Sequence, residues 1–168
     1  MGNSINHKVA VLGGGSFGTV IANIIAANGH AVSLWVRNDV LADEINASGE
    51  NLAYLPGYKL DSNVTVSADL EGSVQDCGCV IFAVPSSAFR QIARQISGYL
   101  KKGTTVVSTA KGIESTTFLL PSQVLQQELS QCEIGVISGP NIAKEIADGQ
   151  ITATVVASRS CPLDVILF

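Results

Sequence analysis

Lys8-Val-Ala-Val-Leu12 runs directly into Gly13-Gly-Gly15-Ser-Phe-Gly18, and Phe17 to Asn28 follows with Val20, Ile21, Ile24 and Ile25 recurring at helical spacing. The opening run predicts a strand buried on both faces, because no polar residue alternates within it after Lys8. The helical stretch stops at Gly29, and Ala31-Val-Ser-Leu-Trp-Val36 predicts a second strand. Strand, glycine turn, helix and strand within about 30 residues make a βαβ unit, the setting that gives the G-x-G-x-x-G pattern its meaning. Gly13 permits the tight turn, Gly15 lets the backbone approach a pyrophosphate, and Gly18 lets the helix lie close to the strand. The helix N-terminus then offers free N–H groups and a positive dipole end to the phosphates. A dinucleotide is the ligand that this turn predicts.

The same residues satisfy G-x-S-x-G, as Gly14-Gly-Ser16-Phe-Gly18, the pattern of a nucleophile elbow. A hydrolase of that kind needs an acid and then a histidine after the serine. His30 is the only histidine beyond Ser16, and no acid lies between them. Hydrolysis at Ser16 is set aside on that ground. Cofactor choice depends on the end of the second strand, where an Asp or Glu would accept the ribose 2′-hydroxyl of NAD. Val36-Arg37-Asn38 presents a cation instead, suited to a 2′-phosphate. Arg37 therefore favours NADPH over NADH, while Asp39 close by leaves use of both open.

Working outward, Asp39 to Ala47 predicts a short helix with Asn38 as its N-cap, and Gly49 to Ser62, with Pro56-Gly57 and no periodicity, predicts a loop. Cys79 to Val84 and Thr104 to Ser108 predict strands, with a helix from Ser87 to Tyr99 between them. A helix from Leu119 to Ser130, a strand from Glu133 to Ile137, a helix from Asn141 to Ala147 and a last strand from Thr152 to Ala157 complete the alternation. Such alternation predicts a Rossmann-type, doubly wound α/β domain over residues 1–157, its mainly parallel sheet covered by helices on both faces.

Composition narrows the classes of function. Of 168 residues 46% are hydrophobic and 14% charged, against about 25% charged in a usual soluble domain. Ten Lys and Arg against 14 Asp and Glu give a net charge of −4 without a basic stripe, which excludes a nucleic-acid partner. No charged residue occurs from Val9 to Val36, yet the glycines, Asn23, Asn28 and His30 interrupt that run too often for a membrane span. Cys77-Gly-Cys79 is too tight for redox or zinc spacing, and the two histidines leave no Cys/His metal site. Cys77, Cys79, Cys132 and Cys161 therefore read as reduced thiols, and without a secretory or myristoylation pattern the expected setting is the cytoplasm.

Ligands of an open parallel sheet bind beyond the carboxyl ends of its strands. Val84-Pro85-Ser86, Ala110-Lys111-Gly112-Ile113-Glu114 and Ser138-Gly139-Pro140-Asn141 stand at such ends. Lys111, a lone cation after an apolar strand, is placed to hold a phosphorylated or carbonyl-bearing substrate near a nicotinamide. Gly139-Pro140 ahead of a helix would offer N–H groups to an anion or form a simple turn.

The segments VLGGGSFGT, GHAVSLWVRN, Asn51-Leu-Ala-Tyr54-Leu-Pro56, VPS, STAKGIE and ISGPNIAKEIA stand in an order and at spacings that closely resemble the NAD(P)-dependent glycerol-3-phosphate dehydrogenases of the bacterial type. The resemblance extends to about Ala157 and implies reduction of dihydroxyacetone phosphate to sn-glycerol 3-phosphate, a precursor of phospholipids. Carried over by position, it implies that Ser16, Phe17 and Arg37 contact the cofactor, with Tyr54 a further cofactor residue. It likewise implies that Lys111 touches both cofactor and substrate, that Gly139 and Asn141 line the substrate, and that Ala143 meets the cofactor. Asn141 stands where the family often has Thr or Ser, and it keeps a hydrogen-bonding group there.

Members of that family are about double this length, and a helical second domain supplies their principal catalytic lysine and an arginine–asparagine phosphate site. No catalytic residue is therefore expected in this chain, which alone should be inactive. Residues 158–168 are expected to open that helical domain or to form a truncated tail. An apolar face without its neighbour would make the chain associate, with a homodimer left open. The alternative reading is a catalytically silent, regulatory dinucleotide-binding module.

Overall fold

The computed structural model describes residues 8–158. Six parallel strands, β1 (Val9–Leu12), β2 (Val32–Trp35), β3 (Val64–Ser67), β4 (Cys79–Phe82), β5 (Thr105–Ser108) and β6 (Glu133–Ser138), are joined by β7 (Val155–Ser158), which runs antiparallel to β6. Their order is β3-β2-β1-β4-β5-β6-β7, so the chain winds outward in both directions from the β1–β4 pair. Such a reversal leaves a crevice beyond the carboxyl ends of the two central strands. Register aligns those ends, with Leu12 beside both Trp35 and Phe82, and Phe82 beside Ser108. The segments that follow β1, β2, β4 and β5 consequently emerge at one edge.

Every residue of β1, β4 and β5 is buried, as the uninterrupted apolar sequences of β1 and β4 require, and in β5 the burial takes in Thr105 and Ser108 at either end of Val106-Val107. Alternation along β1 divides the core in two. Val9 and Val11 join Ile21 and Ile25 of α1 (Ser16–Ala27) and Ala42 and Ile45 of α2 (Asp39–Ser48). Ala10 and Leu12 face the opposite layer, built from α3 (Leu70–Val74), α4 (Phe89–Ile96) and α5 (Pro121–Glu128). There the rings of Phe82 and Phe89, both nearly fully buried, tilt against each other with centroids 5.1 Å apart. Burying each such ring stabilises the fold by about 1.5–3 kcal/mol. A short α6 (Ala143–Ala147) packs against α1. No helix among the described residues is long and apolar enough to cross a membrane.

Four expectations change. Residues 63–75 hold β3 and α3, which the sequence pattern does not announce, because the edge strand buries only Val66 and the helix has five residues. The helix expected from Ser87 to Tyr99 is α only over Phe89–Ile96, with 3₁₀ turns at Ser86–Ala88 and Ser97–Tyr99. The last strand starts at Val155 rather than Thr152 and is largely exposed. Finally, α6 begins at Ala143, so Gly139-Pro140 does not abut a helix N-terminus. Asn38 does cap α2, its Oδ1 accepting from Leu41 N–H at 2.8 Å. Cys161 and most of the expected 158–168 segment lie outside the described residues.

Candidate functional site

The aligned strand ends enclose a cleft of about 630 Å³, within the usual range of roughly 300–1,000 Å³ for small-molecule sites. One wall is the glycine turn between β1 and α1. Gly13 has φ +116°, and a side chain there would meet Ala83 O at 2.6 Å. A Cβ at Gly18 would come within 1.9 Å of Gly13 O, so the third glycine makes room for the turn itself as much as for the neighbouring strand. Gly15 differs, since an added Cβ meets no protein atom within 4 Å and its backbone is open to the cleft. Backbone open at that position is what a pyrophosphate requires, so the residues present fit a dinucleotide.

Residues 49–61, with no helix or strand of their own, lie along α1 and form a strap beneath the turn. Ser16, Thr19 and Asn23 recur at intervals of three and four, a single helical stripe, and each binds the strap. Ser16 Oγ donates to Tyr54 O at 2.6 Å, Asn51 Nδ2 donates to Thr19 Oγ1 at 2.8 Å, and Asn23 Nδ2 donates to Lys59 O at 2.9 Å. The strap's far end is tied to α6, where Tyr58 hydrogen-bonds Asp148, which also pairs with Lys144 at 3.2 Å. Both contacts hold the Asp148 carboxyl below the ordinary range, the Tyr58 hydrogen bond most strongly. This fastening places Tyr54 at the cleft rim.

The facing wall follows β5 and β6. Lys111 lines the cleft, is exposed, and makes no ion pair among the described residues. Its loop is anchored by Glu114, whose carboxylate takes a bidentate pair of hydrogen bonds from Arg90 of α4, at 2.8 and 2.7 Å. Arg90 also binds Glu128 of α5, which Arg94 engages at 2.9 Å. Arg90 first, then a hydrogen bond from Thr117, pull the Glu114 carboxyl down to about 2. Gly139 and Asn141 line the same wall. Thr154 Oγ1 donates to Asn141 Oδ1 at 3.0 Å, and a Cβ on Gly139 would strike Ala153 O at 2.3 Å. Gly139 is thus demanded by packing against the segment before β7.

The cleft gathers Gly13, Gly15, Phe17, Arg37, Tyr54, Lys111, Gly139 and Asn141 of the residues singled out in the sequence. It does not gather Gly18, which is buried beneath the turn, or Ala143, which opens α6. Ser16 binds the strap with its hydroxyl proton, and His30 lies past the opposite end of α1, where its N–H donates to Ile25 O at 3.4 Å. That separation removes the nucleophile-elbow reading. Sequence reasoning missed Asn51, fully buried beneath the turn, and Gly14, whose Cβ would strike Val36 Cγ1 at 2.4 Å. It also missed Ser87 and Thr109, which line the cleft beyond β4 and β5. Only the polar stripe on α1 could have announced the strap. Cys77 and Cys79 are both buried, and burial pushes the Cys77 thiol up to about 11. No cluster of metal-ligating side chains occurs among the described residues.

Known proteins share this arrangement. A glycerol-3-phosphate dehydrogenase [NAD(P)+] of Teredinibacter turnerae is 52% identical over 159 residues, which is 95% of this chain and 46% of the relative. That of Saccharophagus degradans is 52% identical over 156 residues, 93% of this chain and 44% of the relative. The crystal structure of glycerol-3-phosphate dehydrogenase from Coxiella burnetii superposes with a TM-score of 0.87 at 33% identity, over 92% of this chain and 47% of that one. The chain therefore spans somewhat under half the length of these relatives. Residues 8–163 match the family described as NAD-dependent glycerol-3-phosphate dehydrogenase N-terminus, and to that family this chain belongs.

Proposed function

We propose that this chain is the cofactor half of an NADPH-dependent glycerol-3-phosphate dehydrogenase, acting on dihydroxyacetone phosphate and sn-glycerol 3-phosphate in the supply of phospholipid precursors. The carrying observation is one cleft with an open glycine turn and Arg37 on one side and an exposed Lys111 on the other. In this reading residues 1–157 act as one dinucleotide-binding domain. The N–H groups of Gly15 and Ser16 hold the pyrophosphate, with Phe17 and Tyr54 along the cofactor and Ala143 behind it. Arg37 takes the 2′-phosphate and still admits NADH, which lacks it. Bound there, the nicotinamide supplies the hydride that reduces the substrate carbonyl. Lys111 holds the anionic substrate beside it, and Gly139 and Asn141 bound the substrate's other side. The proton for the carbonyl oxygen comes from the part of the relatives that this chain does not match. A cytoplasmic setting accords with the thiol of the buried Cys77. Assembly as a homodimer would draw on the exposed Ile142, Ile151 and Val155.

Fluorescence titration with the two nucleotides tests the reading. NADPH should bind more tightly than NADH, and Arg37→Asp should weaken NADPH about tenfold or more while changing NADH little. Equal loss of both would remove Arg37 from the 2′-phosphate. Dihydroxyacetone phosphate should not be turned over by this chain alone; turnover matching a full-length homologue would overturn the division of labour. The competing regulatory module predicts that substrate leaves nucleotide affinity unchanged, even with Lys111 intact.

A further inference from the structure

We propose that Asn51 is the positioning residue of the phosphate turn, its side-chain amide holding the Gly14 and Gly15 carbonyls away from the cleft so that the N–H groups of Gly15 and Ser16 are aimed into it. Asn51 is 0% exposed and lies 37 residues from the turn in sequence. Its Nδ2 donates to Gly14 O at 2.8 Å and to Thr19 Oγ1 at 2.8 Å. The Thr19 hydroxyl has one proton, which goes to Gly15 O at 2.9 Å, so toward Asn51 it acts as acceptor. One NH₂ group thus supports two successive carbonyls, Gly14 directly and Gly15 through a relay.

The orientation of the amide follows from chemistry. Turned over, it would set Oδ1 against Gly14 O, acceptor against acceptor. Oδ1 itself is buried and has no hydrogen-bond partner among the described residues, so the side chain is kept there for its donors. The consequence for the cleft follows from peptide planarity. In a trans peptide the C=O and N–H point opposite ways, and no peptide of the described chain is cis. Anchoring Gly14 O beneath the turn therefore turns Gly15 N–H outward, at the position where the backbone is open to the cleft. Gly15 O accepts from Thr19 N–H as well, as a helix start normally does, whereas Gly14 O takes its hydrogen bond from Asn51. A glycine pair has unusually free backbone torsions, and Asn51 supplies the restraint that the glycines lack. It does so with a neutral donor, adding no cation that would compete for the phosphates.

This inference rests on the dinucleotide reading, and the experiment separates the two. In ¹⁵N-labelled wild-type chain, NADPH should shift the amide resonances of Gly15 and Ser16. Adenosine 2′-monophosphate, with no phosphate for the turn, should leave both in place while moving that of Arg37. Asn51→Ala should bind NADPH about tenfold more weakly, with affinity for adenosine 2′-monophosphate held within about twofold. A general loss of structure would weaken both ligands alike. Failure of the wild type to bind NADPH would overturn the dinucleotide reading and the inference with it. Wild-type binding with an unmoved Gly15 amide, or equal NADPH affinity in Asn51→Ala, would overturn the inference alone. Should Asn51→Ala not fold, Thr19→Val cuts the relay only. It should weaken NADPH selectively by a smaller factor, and unchanged affinity would overturn the relay.

Discussion

The two walls of the cleft are built by different means. The turn wall is backbone, set by close approaches at Gly13, Gly14 and Gly18 and fastened from below by neutral hydrogen bonds from a buried side chain. The Lys111 wall is a loop held by charge, through Arg90, Glu114, Glu128 and Arg94. The ligands proposed for them differ in kind. A pyrophosphate asks for N–H groups fixed in place, whereas a substrate that must enter and leave asks for a cation on a tethered but exposed segment. Steric fixation does not respond to pH or salt, and ion-pair fixation does.

The largest expected effect strikes the turn wall. Gly18→Ala should destabilise the fold by about 3 kcal/mol in urea unfolding, because its Cβ has no space against Gly13 O. Gly15→Ala, a change of the same size three residues earlier and into open space, should stay within about 0.5 kcal/mol of wild type yet lose NADPH affinity. Similar stability losses at both positions would break the picture of a sterically set wall.

On the other wall, Arg90→Ala should lower Tm near neutral pH, with a pH signature that the glycine variants lack. The folded-state Glu114 carboxyl lies at about 2, below its ordinary 4.5. Its contribution is therefore fully present above pH 4.5 and disappears as pH falls toward 2. The Tm gap between wild type and Arg90→Ala should be constant above pH 5 and close on acidification. A gap that is flat down to pH 2 would mean that Arg90 acts by packing. The smallest effect belongs to Arg94, which reaches both oxygens of Glu128 but is 64% exposed. Arg94→Ala should cost at most about 0.5 kcal/mol, and a loss equal to that of Arg90→Ala would mean the four charges act as one unit.

The turn wall was legible from sequence and the strap beneath it was not, for a physical reason. Glycines at fixed spacing between a strand and a helix encode a local geometry, readable within some thirty residues. Asn51 acts across 37 positions from a segment without periodicity, and nothing local marks a loop asparagine as buried. The strands β1 and β4 were legible because burial on both faces leaves an uninterrupted apolar run, and β5 by its β-branched Thr105-Val-Val107. Edge strand β3, with Val66 alone buried, carries no such signature, whereas β7, though largely exposed, is expected from its sequence with only its start misplaced, at Thr152 rather than Val155. On the facing wall Lys111 stood out as a solitary cation, but its anchor Arg90 reads in sequence as one of two ordinary charged positions on α4. Pairing with Glu114 and Glu128 is a tertiary fact.

The strap also explains why so long a stretch of the chain is free of charge. A helix on a sheet ordinarily keeps one side in water, and substitutions there are tolerated. In α1 the sheet covers one side and residues 49–61 occupy the side that Ser16, Thr19 and Asn23 present, leaving Ala27 as the helix's sole exposed residue. A lysine introduced at Thr19 would have to displace the strap, just as one at Ile21 or Ile25 would have to displace the core. In mutational terms this buried polar position is expected to be as intolerant of replacement as the apolar ones.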